Sequence, residues 1–183
     1  MGRTRRKPKG KKINPTFFVF CEGKTEVAYV HFLKKKYRVS SIQIHAAEKG
    51  NNISKNYIEN YKQDKFTAEN DLDFLMYDLD APKMLERLSA IPNAILLVSN
   101  PCIELWFILH YKNQVTAIDS KSCFREVKTQ CNSYEKGTIS SELFNALTNL
   151  EAEAIAKAKQ QEAFKNPSST IYLLLEKLQD FNL

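Results

Sequence analysis

The chain has few of the residues that usually announce a metal, disulfide or nucleotide site. It contains four cysteines, three histidines and five glycines in 183 residues. Cys21, Cys102, Cys123 and Cys131 form no C-x-x-C pair, and His31, His45 and His110 are scattered, so the ligand spacing of a zinc site is absent. No secretory signal accompanies the cysteines, which disfavours a disulfide framework and leaves them as small apolar fillers. There is no G-x-x-x-x-G-K-S/T loop to cradle a nucleotide. No apolar stretch follows the N-terminus, and the longest apolar run, IELWFILH at 103–110, is too short to cross a bilayer and carries an acid. These absences predict a cytoplasmic protein with no membrane partner.

The positive charge is concentrated at one end. Of 27 basic residues, seven (Arg3, Arg5, Arg6, Lys7, Lys9, Lys11 and Lys12) fall in the first twelve positions with no acid among them, leaving 20 basic and 21 acidic residues for the rest. The formal net charge of +6 therefore belongs to a tail. With a proline, two glycines and no apolar period, residues 1–14 read as a disordered basic tail. Such a tail serves either as an electrostatic arm for nucleic-acid phosphates or as a solubilising terminus.

The body alternates between two periodicities. TFFVFC at 16–21 and NAILLVSN at 93–100 are short and continuously apolar, the pattern of strands buried on both faces. SIQIHAA and LDFLMYDLD supply two more strands. Helical spacing separates them: Val27, Val30, Leu33 and Tyr37 after a Thr25 cap; Ile53, Tyr57, Ile58 and Tyr61 behind an asparagine cap; and MLERLSA entered through Pro82. Asn100 and Pro101 read as the cap and first position of a further helix, CIELWFILHY. Four strands alternating with four helices predict an α/β fold with a mainly parallel sheet at 15–112. Residues 113–183 then read as a helical extension packed on that core, with no further strand.

In an open α/β sheet the chemistry gathers at the carboxyl ends of the strands. Glu22 ends the first strand and Asp78 and Asp80 end the third, two residues apart. Glu104 lies in the first turn of the helix after the fourth, and Glu26 in the first turn after Glu22. Oxygen ligands converging from separate strand ends suit a hard cation such as Mg²⁺ or Mn²⁺. Each acid has a blander reading as well: Glu22 and Glu26 could complement a helix dipole, and Asp78 and Asp80 could be turn residues. Glu104 resists such a reading because Ile103 and residues 105–109 around it are apolar; a buried acid needs a partner, whether cation, lysine or helix amide. Lys24 and Lys83 stand beside the acids as candidates for phosphate contact. Trp106, His45 and His110 read as packing or surface residues.

With these residues assembled, the chain resembles the Toprim domain, which pairs a strand-end glutamate followed by glycine with a downstream D-x-D. CEGKTE at 21–26 and SNPCIELWFILH at 99–110 are similar to signature segments of the RloB-like (AbiLii-like) proteins, and NPSSTIYLLLEKL at 166–178 resembles their closing helix. The sequence departs from the pattern at Ile103, where an aromatic is expected, and at Ala81, where no third acid follows Asp80. The resemblance implies a Toprim-like metal-dependent nuclease that cleaves DNA or RNA in defence against phage, encoded beside an AAA or ABC-type ATPase, and a homo-oligomer is compatible with it. Glu22, Asp78 and Asp80 would hold Mg²⁺ or Mn²⁺, with Glu26 and Glu104 completing the site or orienting water and Lys24 stabilising phosphate charge. Two rivals stand beside this reading: a Toprim-like module without turnover, and a phosphatase in which Asp78 of DLDAP is the nucleophile.

Overall fold

The structure is a computed structural model that describes residues 15–37 and 43–180. The basic tail, with Arg3 through Lys12, lies outside the described residues. So does Ile42 of the second strand, and of His45 only the backbone is described.

Five strands form one sheet in the order β2-β1-β3-β4-β5. Strands β1 (Thr16–Cys21), β2 (Gln43–Glu48), β3 (Leu72–Asp78) and β4 (Ala94–Asn100) pair in parallel, and β5 (Ser168–Ser169) joins β4 antiparallel. Parallel pairing requires crossovers, which α1 (Lys24–Tyr37), α2 (Lys55–Gln63) and α3 (Met84–Ser89) supply. Helices α4 (Ile103–Tyr111), α5 (Ser120–Gln130), α6 (Ser141–Asn149), α7 (Glu151–Lys159) and α8 (Tyr172–Asp180) complete the chain. The α/β class expected from the sequence is the class observed.

Because side chains alternate across a strand, the continuous apolar runs feed two cores at once. Phe17, Val19 and Cys21 of β1 and Phe74 and Met76 of β3 pack with α1 and α4–α8, whereas Phe18, Phe20, Leu75 and Tyr77 face α2 and α3. Helix α4 is buried from Ile103 to His110, enclosed by the later helices, so its lack of an amphipathic period has a cause. Within it the Trp106 indole N–H donates to the Tyr29 hydroxyl at 2.8 Å, and His110 Nδ1 meets the Trp106 carbonyl at 2.9 Å. Burial pushes the His110 pKa down to about 4, the signature of a neutral packed imidazole.

Several local expectations are corrected. Residues after 112 do contribute a strand: the backbone of Ser168 and Ser169, with the amide and hydroxyl of Thr170, satisfies the open edge of β4, a need that only the assembled sheet creates. Ser54, not an asparagine, caps α2, its Oγ accepting from the Tyr57 amide at 3.3 Å. Helix α4 begins at Ile103 after Cys102; the Asn100–Pro101 peptide is cis, and the Asn100 side chain donates to the Phe164 carbonyl at 2.8 Å instead of capping. Helix α1 begins at Lys24, so Thr25 is inside its first turn and buried.

Thr170 anchors the β4 edge most fully. Its hydroxyl accepts from the Val98 amide at 2.9 Å and donates to the Leu96 carbonyl at 2.8 Å, while its own amide donates to the Val98 carbonyl at 2.9 Å. Thr170→Val keeps the shape but strands a buried donor and acceptor, and it should cost about 2 kcal/mol in denaturant unfolding. Thr170→Ser should recover most of that stability. Equal stability of the valine variant and wild type would contradict this role.

Candidate metal centre

Strand β1 ends at Cys21 and delivers Glu22 to the carboxyl edge of the sheet. The Glu22 amide continues the ladder to the Met76 carbonyl at 3.0 Å, and its carboxylate Oε2 accepts from the Asp78 amide at 2.9 Å. Asp78 reaches onward: its Oδ1 accepts from the Ile103 amide at 2.8 Å, at the start of α4, where Cys102 offers no side-chain cap. Two acids from neighbouring strands and the N-terminus of a buried helix are thus joined in series.

Glu26 sits in the first turn of α1, 5% exposed, and folds back to accept from the Gly23 amide at 2.9 Å, closing the helix start. A Cβ on Gly23 would stand 3.3 Å from that carboxylate oxygen, so glycine permits the approach. Glu104, 1% exposed, has the partner its burial demanded: its Oε1 accepts from the Tyr134 hydroxyl at 2.8 Å and lies 3.5 Å from Lys136 Nζ. Asp80 lies two residues beyond the end of β3 and is exposed; its Oδ2 accepts from the Ser120 hydroxyl at 3.4 Å. The D-x-D acids therefore have different settings, one capping a helix and one facing solvent.

Burial and neighbouring negative charge act together on Glu22, Glu26 and Asp78. Burial, then the charges of Glu26, Glu22, Glu104 and Asp80, hold the Asp78 carboxyl well above the ordinary range. Glu22 is raised by burial and by Asp80 against the opposing effect of the Asp78 amide. Glu26 is pushed up to about 7 by burial, with Glu22 and Glu104 adding to the shift and backbone amides opposing it. Carboxylates that disfavour one another's ionisation in this way are stabilised by a cation or by protons. The all-oxygen donor set suits a hard divalent ion. As the side chains stand, though, no three His, Cys, Asp or Glu residues among those described are grouped so as to hold a metal ion. Glu22, Asp78 and Glu26 each commit one oxygen to a backbone amide, so metal binding would require the other oxygen of each to turn toward a common point.

Of the predicted cations, Lys24 is exposed at the start of α1, and Lys83 is exposed in a left-handed conformation before α3, with φ of 62°. Neither reaches an acid of the cluster. The segment after α5 supplies what sequence reasoning missed: Tyr134 and Lys136 on Glu104, and Gly137, whose amide donates to Thr25 Oγ1 at 3.0 Å. Gly137 has φ of +81°, and a Cβ there would come within 3.3 Å of Lys24, so only glycine lets this segment seat against α1. No local pattern ties these residues to Glu104, because the contact spans thirty residues.

A family model described as RloB-like protein matches residues 17–178. The chain belongs to the RloB-like family. No curated protein and no solved structure matches it. The RloB-like match spans β1 through α8, taking in both the strand-end acids and the helices that supply Tyr134 and Lys136. Among the described residues of this RloB-like chain, no helix is long and apolar enough to cross a membrane.

The raised carboxyls make stability depend on pH with a definite sign. Folded Glu26 holds its proton more tightly than the unfolded chain does. Its contribution is therefore complete below pH 4.5 and lost as pH rises through about 7. The loss is about 3 kcal/mol at most for this residue, and Glu22 and Asp78 act in the same direction. Asp119, Glu126 and Glu142, lowered by hydrogen bonds from Ser122, Lys112 and Ser133, act oppositely but at more acidic pH. His110, pushed down to about 4 by burial, also acts oppositely, and its effect runs up to pH 6.5. In chelator, the melting temperature of wild type relative to Glu26→Gln should therefore fall between pH 5 and pH 7.5, because His110 is common to both proteins. A wild-type melting temperature that rises relative to Glu26→Gln over this window would contradict the cluster's electrostatics.

Proposed function

We propose that the protein is a Toprim-type nuclease that hydrolyses phosphodiester bonds with Mg²⁺ or Mn²⁺. One observation carries this reading. Acids from two strand ends and two helix starts lie at the carboxyl edge of a parallel sheet, where burial and neighbouring negative charge raise the proton affinity of Glu22, Glu26 and Asp78. Glu22, Asp78 and Asp80 would hold the ion, which when bound activates water and stabilises the leaving oxygen. Glu26, with its carboxyl near 7, is poised to take a proton from attacking water at neutral pH or to return one to the leaving oxygen. Tyr134, kept neutral by burial and by the Glu104 charge, fixes Glu104. Exposed Lys24 is placed to meet phosphate charge. The family resemblance extends this reading to a defence effector that cleaves DNA or RNA, tRNA included, under control of an ATPase encoded nearby.

Asp80 gives the cleanest test, because it is exposed and is held by a long hydrogen bond from Ser120, so its loss should spare the fold. Wild-type protein with Mn²⁺ or Mg²⁺, alone and with the neighbouring ATPase, should cleave DNA or tRNA. Asp80→Ala should lose about 100-fold or more, the few kcal/mol that charge stabilisation by a bound ion supplies. Undiminished cleavage by both Asp80→Ala and Glu22→Ala would overturn the assignment. A second reading, a module without turnover, is favoured by the structural use of Glu22 and Asp78, each of which gives one oxygen to a backbone amide. It predicts full protection from phage in a Glu22→Ala, Asp80→Ala double variant.

A further inference from the structure

Beside the acid cluster a cleft of about 620 Å³ opens along α5 and the segment after it. Lys121, Arg125 and Lys128 line it at positions i, i+4 and i+7, which places them on one face of the helix. Lys136 adds a fourth cation from the facing segment, against one lining carboxylate, Glu135. Among the described residues neither Lys121, Arg125 nor Lys128 forms an ion pair, although Arg125 donates to the Ser122 hydroxyl at 3.0 Å. A cationic helix face is often no more than a solvated surface, but this one borders an aromatic floor. The half-buried ring of Phe124 lies 5.8 Å from that of Tyr134, and Lys136 Nζ lies 6.0 Å from the Phe124 centroid.

The cleft is joined to the carboxylates at two points. Ser120, at the first turn of α5, donates to Asp80, and Tyr134 and Lys136 both hold Glu104. A strand lying over α5 would therefore run up to the acids.

We propose that this cleft binds single-stranded nucleic acid, with Lys121, Arg125 and Lys128 on successive phosphates and Phe124 facing a base, and guides the strand to the carboxylate cluster. Unpaired cations over an aromatic floor are the combination that single strands require, because backbone charge and base faces are offered together. The inference rests on the nucleic-acid reading above and moves the main binding surface from the N-terminal tail to α5.

The test is fluorescence anisotropy of a labelled oligonucleotide of about 16 nucleotides, read in EDTA so that binding is independent of cleavage. The full chain should bind. A Lys121→Gln, Arg125→Gln, Lys128→Gln variant, with its fold checked by circular dichroism and melting, should bind at least about tenfold more weakly. Its slope of log affinity against log salt should be shallower by about 2, from roughly 0.7 per phosphate for single strands. Unchanged binding by the triple variant, tighter binding of a duplex of the same length, or equal competition by polyglutamate would each overturn the proposal. Groove-dependent binding without hydrolysis would sink the nuclease reading alone. Cleavage with unchanged kcat/KM in the triple variant would sink the groove alone.

Discussion

Two hydrogen bonds in series, Asp78 N–H to Glu22 and Ile103 N–H to Asp78, hold the edge of this molecule together. They tie β1 to β3 and β3 to the start of α4, the helix around which the later helices pack. The same bonds press like charges together. Each carboxyl pays in desolvation and repulsion for the position it holds, and backbone amides offset only part of that. A cluster held this way is stable when protonated or when a cation is present, and poorly stable when bare and fully ionised. Structural role and proposed chemistry are thus two uses of one electrostatic imbalance.

The later helices are not an appendage to this arrangement. One apolar cluster runs from β1 and α1 through α4 to α8, and the segment between α5 and α6 reaches back to the acids with Tyr134, Lys136 and Gly137. Glu104 is answered from there, and Asp80 from Ser120. The carboxyl edge that a βα core would present by itself is therefore completed by residues thirty or more positions downstream of the acids they meet. The proposed groove follows from the same packing: α5 buries Cys123 and Val127 and turns its cations outward.

How much of this was legible in the sequence depended on distance along the chain. The continuous apolar run at 16–21 could only be a doubly covered strand, and it is; the apolar surround of Glu104 meant burial with a partner, and it has one. The partner's identity was not readable, because nothing in Tyr134 or Lys136 marks them as neighbours of residue 104. Caps were misplaced for a related reason. Asparagines and Thr25 have the chemistry of caps, but Ser54 and a distant Asp78 had the geometry. SST at 168–170 read as helix because its β role exists only opposite the free edge of β4. The cations of KSCFREVK do share a helical face, a signal present in the sequence whose meaning depends on what α5 borders.

The central claim is that the five carboxylates form one cation site. Diffraction from crystals soaked in Mn²⁺ at neutral pH, recorded at a wavelength where manganese scatters anomalously, tests it most directly. An anomalous peak is expected at the carboxyl edge, with Glu22, Asp78 and Asp80 as ligands, Glu22 and Asp78 using the oxygens that their amide bonds leave over. No manganese at that edge would contradict the claim.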